Sequence, residues 1–248
     1  PAVPWSVAVM GLLLWTAWRY LGGSWPPLRT AAWRRSHRRA NPLPWPVLRV
    51  ALLAAGLSVG ALAGFWGVLF QLVKIPSNRL PDLSRYPLTT VVLTLVMSSL
   101  VAAVTEEVGF RGYFQVSLER RLPAAAAILI PCLLISPAHA LTQGFLWPVL
   151  LFYLLVDISL GLTAHLTDSI VPGVAIHAAG LLAFFTLVWP RDAGRQLISQ
   201  GGADAWFWIH LAEFLLLAPL AALAFTSLAR AMRSRRVGST PGRSAPYP

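Results

Sequence analysis

Charged residues are scarce in this chain, and acids are the scarcest. Only nine of the 248 residues are Asp or Glu, and charged residues of both signs make up 12%, against roughly 25% in soluble domains. Apolar side chains make up 56% of the chain, and the mean hydropathy is +0.64. This composition argues against a water-soluble fold and favours a protein that lies in a bilayer.

Cysteine is nearly absent as well. The single Cys132 lies inside an apolar run, so neither a disulfide framework nor a cysteine-based metal site is available. The formal net charge of +11 would by itself suggest nucleic acid as a partner. The arginines, however, stand in short segments between apolar runs, so we predict no nucleic-acid partner and interpret them as topology determinants that face anionic lipid.

Long apolar runs fill most of the chain, and each approaches the roughly 20 residues that cross a hydrocarbon core. The seven candidate spans are residues 4–21, 47–74, 88–120, 123–141, 147–166, 170–189 and 205–229. They predict an all-α fold, a polytopic bundle of about seven transmembrane helices. The third span covers about 50 Å at 1.5 Å per residue, so we expect it to tilt, break or project, with Gly109 and Gly112 as candidate bends.

The arginines also predict the orientation of the bundle. Three segments carry most of them: Arg29, Arg34, Arg35, Arg38 and Arg39 in the first loop, Arg120 and Arg121 in the third, and Arg230, Arg233, Arg235, Arg236 and Arg243 in the tail. A path of seven spans puts these segments on one side, which the positive-inside rule makes cytoplasmic. The N-terminus is then outside and the C-terminus cytoplasmic. Arginine-rich, lysine-poor usage indicates a GC-rich bacterial genome, and hence a bacterial cytoplasmic membrane.

Four of the nine acids fall well inside the predicted spans, away from the span ends, where an ionised group costs at least ~2.5 kcal/mol. They are Glu106, Glu107, Asp157 and Glu213. Such residues are functional by default. Glu107 stands one helical turn before Arg111, so we expect these two to pair. Adjacent helix positions differ by about 100°, so Glu106 is expected to point elsewhere, into a cavity between helices.

Two histidines inside spans offer partners for these acids. Measured from the turn at residues 120–123, Glu106 lies about 22 Å along one helix and His139 about 24 Å along the next. The two are therefore expected to meet at a similar depth. His177 lies only about 12 Å from Ser169 by the same measure, and it reaches that depth only if its helix starts recessed within the bundle.

Three motifs follow one another in this part of the chain. Glu-Glu-x-x-x-Arg begins at Glu106 and is followed by Gly112 and Tyr113, a histidine closes the next helix, and Thr-Asp-Ser-Ile-Val-Pro begins at Thr167 and leads to His177. Together they resemble the CPBP family of CAAX proteases and bacteriocin-processing enzymes, over a core of about residues 89–189. The resemblance divides the chain into two N-terminal membrane helices with a basic cytoplasmic loop (1–88), the core (89–189), a last membrane helix (190–230) and a disordered basic tail (231–248).

The resemblance implies a CAAX-type intramembrane protease, a hydrolase that cleaves a peptide bond of a membrane-associated, prenylated or hydrophobic peptide. Glu106 and His139 would activate the attacking water, and His177 would belong to an oxyanion hole, whose donors point to where negative charge develops. Glu107, Arg111 and Asp157 would support them. The implied partners are a peptide or membrane-protein substrate and membrane lipid.

Two departures from the family pattern leave an alternative open. Ile135 stands where the second motif usually has Phe, and Leu181 stands where the third usually has Asn or Asp. Leu cannot donate a hydrogen bond, so either Asp157 or Ser159 replaces the missing donor or catalysis is weakened. The alternative function is a non-proteolytic membrane scaffold, immunity or regulatory protein that retains the protease fold. A transporter is a third class, but no paired short or inverted segments support it.

A divalent metal such as zinc is an alternative at the same cluster. One carboxylate and two imidazoles, Glu106, His139 and His177, would make a three-ligand site with a position open to water. The sequence contains no His-Glu-x-x-His element to fix such a site. The sequence therefore leaves both a metal-bound and a metal-free mechanism open.

The remaining histidines are interpreted as structural. His210 and Glu213 lie three residues apart on the last span and are expected to pair. His165 with Asp168 is expected to cap the turn between the fifth and sixth spans. His37, among the arginines of the first loop, is expected to belong to a solvated run that faces lipid.

Overall fold

The computed structural model of the protein describes residues 4–75, 85–143, 145–188, 190 and 195–238. These residues form helices joined by short turns, and none of them belongs to a named strand. The α-helices are α1 (Trp5–Leu21), α2 (Ala31–Arg38), α3 (Trp45–Leu72), α4 (Leu88–Glu106), α5 (Gln115–Glu119), α6 (Ala124–Gln143), α7 (Trp147–Thr167), α8 (Val171–Ala183), α9 (Ile198–Gly201) and α10 (Ala205–Gly238). Two π-helical segments, Glu107–Phe114 and Phe184–Val188, extend α4 and α8.

Among the described residues, five continuous helical segments are long and apolar enough to cross a membrane. They are Trp45–Leu72, Leu88–Glu119, Trp147–Thr167, Val171–Val188 and Ala205–Arg235. The other two predicted spans are helices as well: α1 has 17 residues, and α6 contains Pro131 and Pro137. The predicted fold class is confirmed, and the chain is an integral membrane protein built as an all-α bundle.

Contacts between helix ends agree with a chain that crosses the membrane back and forth. At one end, Arg39 after α2 pairs with Glu119 at the end of α5 and with Asp168 after α7. At the other end, Gln71 near the end of α3 donates to Asp204 before α10 at 2.9 Å. The first loop and the turns after α5 and α7 therefore lie together, which agrees with the predicted order of crossings.

α3 and α10 pack antiparallel along their length, and glycines make this approach close. A Cβ added at Gly64 would meet the His210 carbonyl oxygen at 2.8 Å, and one at Gly67 would meet the His210 ring at 2.6 Å. Small residues allow such close packing between membrane helices. α3 also carries Trp66, which is 2% exposed and packs on Phe152 of α7. α3 thereby joins α10 to the helices that carry the candidate site.

The long third span changes its helix type in the region of the two candidate bends. The backbone passes from α to π-helix at Glu107 and returns to α at Gln115. π-helical turns are rare and are frequent at functional sites. Both predicted bend points lie in this segment, but a Cβ at Gly109 would meet nothing within 4 Å, whereas one at Gly112 would lie 2.7 Å from the His37 carbonyl oxygen. Gly112 therefore permits a close approach of α2.

The first loop is not a solvated run that faces lipid, and that prediction is wrong for three of its members. Arg34, His37 and Arg39 are each 3% exposed or less. The His37 ring packs against Trp33 of its own helix and Tyr113 of the π-helix. A count of charges in the sequence does not distinguish a solvated arginine from one that is buried and paired. The burial of these residues was therefore not predicted.

Two other local predictions have opposite outcomes. The His210–Glu213 pair is confirmed, with Nδ1 and Oε2 3.0 Å apart. The His165–Asp168 cap is wrong, because His165 Nδ1 lies 2.8 Å from Glu119 Oε1 and Asp168 binds elsewhere. Glu119 comes from a helix 46 residues earlier in the chain, so local spacing did not reveal it.

The last helix runs further than predicted. α10 continues to Gly238, so residues 231–238 of the predicted disordered tail are helical. The rest of that predicted tail, residues 239–248, lies outside the described residues.

Candidate active site

Glu106, the last residue of α4, faces two imidazoles from different helices. Its Oε2 lies 3.9 Å from Nε2 of His139 on α6 and 3.8 Å from Nε2 of His177 on α8. That oxygen is buried and has no hydrogen-bond partner among the described residues, although the side chain as a whole is 26% exposed. The structure thus brings the three predicted side chains together around one carboxylate oxygen in a partly accessible site.

Glu107, the next residue, is completely buried and fixes the orientation of one imidazole. Its Oε1 lies 3.3 Å from Arg111 Nη1 and 3.1 Å from His177 Nδ1. The predicted Glu107–Arg111 pair is therefore confirmed, within a π-helix. A Cβ added at Gly173 of α8 would lie 2.8 Å from Glu107 Oε2, so the carboxylate fits against α8 because this position has no side chain.

Arg111 extends this network to two further helices. It is 1% exposed, and its Nη2 donates to Oδ1 of Asp157 on α7. The other carboxylate oxygen of Asp157 accepts from Ser136 Oγ of α6 at 3.3 Å. Removing one partner of a buried ion pair costs about 3–5 kcal/mol, because the remaining charge stays in a medium of low dielectric constant. Asp157 and Arg111 therefore hold the π-helix, α6 and α7 in one arrangement.

His139 is positioned by α7 as well as by its own helix. It lies two residues after Pro137 near the end of α6. Its ring stacks on Tyr153 of α7, with the ring centroids 4.3 Å apart and the ring planes 14° apart. Such a stack restricts rotation of the imidazole, whose Nε2 faces the Glu106 carboxylate.

His177 reaches the cluster because α8 starts inside the bundle. Ser169 and Ile170, which precede this helix, are completely buried. Ser169 Oγ donates to the Asn41 carbonyl at 2.7 Å, and the Ile170 backbone N–H donates to the Arg39 carbonyl at 2.9 Å. The first loop therefore covers the turn before α8, and this is the recessed start that the helix lengths required.

Residues 88–181, which include all three side chains of the cluster, match the family described as type II CAAX prenyl endopeptidase Rce1-like. The core of the chain is thus similar to the CAAX-protease (CPBP) family. The match covers less than half of the chain and leaves out α1, α2, α3, α9 and α10. No curated protein and no solved structure matches the chain.

Leu181 remains the main departure from the CAAX-protease pattern. Asp157 is not a substitute donor, because its two carboxylate oxygens accept from Arg111 and Ser136. Ser159 Oγ is buried and has no hydrogen-bond partner among the residues that the structure describes. Of the two candidates that the sequence offered, Ser159 is therefore the one with an unused donor.

The nitrogen and oxygen atoms of the cluster lie somewhat further apart than the ligand atoms of a bound zinc ion. Zinc lies about 2.0–2.2 Å from its N and O ligands, which puts neighbouring tetrahedral ligand atoms about 3.4 Å apart. Glu106 Oε2 is 3.9 Å from His139 and 3.8 Å from His177. Within the described ranges, no group of three or more His, Cys, Asp or Glu residues is arranged to hold a metal ion.

Several residues around this CAAX-protease site were not identified from the sequence. Gly173 and Tyr153 contact Glu107 and His139 directly, but an apolar span contains many glycines and aromatics, so no signal singled them out. Glu119 had a weak signal, the scarcity of acids. Arg39 had none beyond its place in the arginine-rich loop, since its partners lie 80 and 129 residues away.

Proposed function

We propose that this protein is an intramembrane endopeptidase that hydrolyses a peptide bond of a membrane-associated, prenylated or hydrophobic peptide. The observation that carries the proposal is the Glu106 carboxylate, which faces His139 and His177 within the segment that matches the CAAX-protease family. The family match favours this function over a non-proteolytic scaffold, immunity or regulatory protein.

In the proposed reaction, Glu106 acts as the general base. A water that is about 2.8 Å from both Glu106 Oε2 and His139 Nε2 would form an angle of about 90° with them, so both groups can hold it at once. Glu106 takes one proton as the water oxygen attacks the carbonyl carbon of the scissile peptide bond. A C–O bond forms, and the carbonyl electron pair moves to the oxygen.

His177 is assigned to the negative charge that develops on that oxygen. Its Nδ1 is held by Glu107 at 3.1 Å, and its Nε2 faces the cluster. With a proton on Nε2, the ring donates to the oxyanion, and loss of one such donor typically costs about 10²-fold or more in rate. When the intermediate collapses, the C–N bond breaks and the proton on Glu106 passes to the leaving amine.

The surroundings of the site support an apolar or membrane-anchored class of substrate. The cluster lies between helices that are apolar enough to span a membrane, so a soluble polar peptide would lose its hydration on entry. A prenylated, hydrophobic or membrane-anchored chain avoids that loss. We assign the enzyme to a bacterial cytoplasmic membrane, with the C-terminus cytoplasmic and lipid as its solvent.

The test is cleavage by the purified protein in detergent or liposomes. The probes are a prenylated peptide, the same peptide without the prenyl group, and a hydrophobic transmembrane peptide. Glu106→Gln and His139→Ala are each expected to lower turnover about 10²- to 10⁴-fold, as general acid–base groups do. Glu213→Gln is the matched control, since it removes an intramembrane carboxylate that pairs with His210 outside the site, and it is expected to retain activity.

Unchanged turnover in both Glu106→Gln and His139→Ala would contradict the mechanism. Cleavage is expected to continue in the presence of a chelator, and its loss there would favour the metal-bound alternative. If the wild type cleaves none of the probes and Glu106→Gln preserves the cellular phenotype, the scaffold function replaces the enzymatic one.

A further inference from the structure

Arg39 lies outside the family match, yet its guanidinium contacts two separate turns within the matched core. It is 3% exposed. Nη2 lies 3.0 Å from Oε2 of Glu119, at the end of α5, and Nε donates to Oδ1 of Asp168, in the turn before α8, at 3.0 Å. Nη1 also donates to the Arg111 carbonyl of the π-helix at 3.4 Å. One side chain therefore connects the helix of Glu106 and Glu107 to the turn that leads to His177.

The two residues after Arg39 also bind the turn before α8. Asn41 Nδ2 donates to the Asp168 carbonyl at 2.7 Å and to its carboxylate at 3.0 Å. Ala40 and Ser169 form an isolated antiparallel bridge. The backbone of Arg39 accepts from Ile170. The segment 39–41 thus acts as a clasp on residues 168–170, and we call it the first-loop clasp.

Both charged residues in this contact have an unusual backbone. Arg39 has φ 53° and Asp168 has φ 50°, both in the left-handed region. Each is the residue that ends a helix, a position where the left-handed conformation is common but is usually taken by Gly, so a residue with a Cβ relies on its surroundings to stay there. The Arg39–Asp168 ion pair and the hydrogen bonds of the clasp hold both residues in this conformation. The position at which α8 starts therefore depends on these contacts.

We propose that Arg39 is a positioning residue for the candidate site, which sets the depth of His177 against Glu106 and Glu107 through Asp168. His177 is six residues from the start of α8 at Val171, or less than two helical turns. A shift of the turn therefore moves the imidazole with it. The effect of Arg39 on catalysis rests on the proposed function. The effect of Arg39 on the position of α8 does not depend on that function.

The geometric part is tested by measuring a distance between two spin labels. Labels on Ser117→Cys and Ala175→Cys, both exposed positions, report how α8 sits relative to α5. The native thiol is removed with Cys132→Ser. Arg39→Met is expected to displace or broaden the distance distribution, and Arg39→Lys, which keeps the charge but not the fork of donors, is expected to do so less.

Arg29→Gln is the matched control. It removes an arginine from the same loop, and hence the same contribution to membrane orientation, but Arg29 is exposed. Its distance distribution is expected to equal that of the parent protein. An unchanged distribution in a monodisperse Arg39→Met sample would overturn the proposal, whether or not the protein cleaves any peptide.

The functional part is tested with whichever probe the wild type cleaves. Arg39→Met is expected to lower kcat about 10- to 100-fold, as loss of a group that orients a catalytic residue does, while KM changes little. Arg39→Lys is expected to recover part of that kcat. An equal loss in Arg29→Gln, or a change confined to KM, would contradict a positioning role. If the wild type is inactive on every probe, the proposed function fails and the distance measurement still decides this inference.

Discussion

Gly173 shows how closely the candidate site depends on single residues. An added methyl group would lie 2.8 Å from Glu107 Oε2 and 3.4 Å from its Cδ. A flexible side chain would move away at little cost, but Glu107 is held by Arg111 and by His177. The strain must therefore pass to the contact that orients the His177 ring.

Gly173→Ala is accordingly expected to reduce turnover about tenfold or more while stability changes little. Alanine favours a helix over glycine by about 1 kcal/mol, which offsets much of the steric cost. Cleavage assays and thermal unfolding in detergent, run on the same preparation, measure the two effects separately.

Gly56→Ala is the control for this prediction. Its added methyl would lie 3.6 Å from Ile176 Cδ1, an ordinary van der Waals contact on the neighbouring face of α8. Turnover of Gly173→Ala equal to that of Gly56→Ala would show that Glu107 relaxes without effect on His177.

Among the contacts of single residues, the sequence predicted those that depend on spacing along one helix or on the lengths of two neighbouring helices. The Glu107–Arg111 pair follows from residues one helical turn apart, and the Glu106–His139 approach follows from two helix lengths measured from one turn. The Glu107–His177 contact and the Tyr153 stack depend on how three helices face each other. No periodicity in one chain contains that information, so these contacts were not predicted.

α2 and the π-helix form the element contact that the sequence misjudged most. Gly112 lies against the backbone of α2, where an added Cβ would meet the His37 carbonyl at 2.7 Å and the Arg38 carbonyl at 3.2 Å. Backbone cannot move aside as a side chain can. We therefore expect Gly112→Ala to separate α2 from the π-helix.

Gly112→Ala is expected to lower the free energy of unfolding by about 1–3 kcal/mol, the usual cost of overpacking. The measurement is an unfolding titration in mixed micelles. Gly109→Ala tests the same substitution three residues earlier in the same π-helix, where the methyl would meet nothing within 4 Å, and it is expected to be neutral or slightly stabilising. Equal stabilities of the two variants would show that α2 is not docked as described.

The helices themselves were predictable because each apolar run is long enough to require one. The switch from α to π-helix at Glu107 was not predictable, since both helix types present a similar apolar pattern over two turns. The burial of Arg34 and Arg39 was not predictable either. Their partners, the Trp25 carbonyl, Glu119 and Asp168 among them, come together only after the bundle has formed.

At the scale of the whole molecule, the arrangement of turns supports seven crossings although five segments meet the length and hydropathy of a span. Arg39 binds Glu119 and Asp168 at one end, so the first loop and the turns after α5 and α7 share a side. Arg195 donates to the Gly67 carbonyl at 3.1 Å, which places the segment before α10 at the other end.

These contacts fix which turns share a side, and the arginine count then predicts which side is cytoplasmic. Ser36, Ser199 and Ser234 are exposed and sample the first loop, the segment before α10 and the end of α10. In a Cys132→Ser background, Ser199→Cys is expected to react with a membrane-impermeant maleimide on intact cells. Ser36→Cys and Ser234→Cys are expected to react only after permeabilisation.

The reverse labelling pattern would agree with seven crossings but would show that the orientation is inverted. Equal labelling of Ser36→Cys and Ser199→Cys on intact cells would contradict the seven crossings themselves.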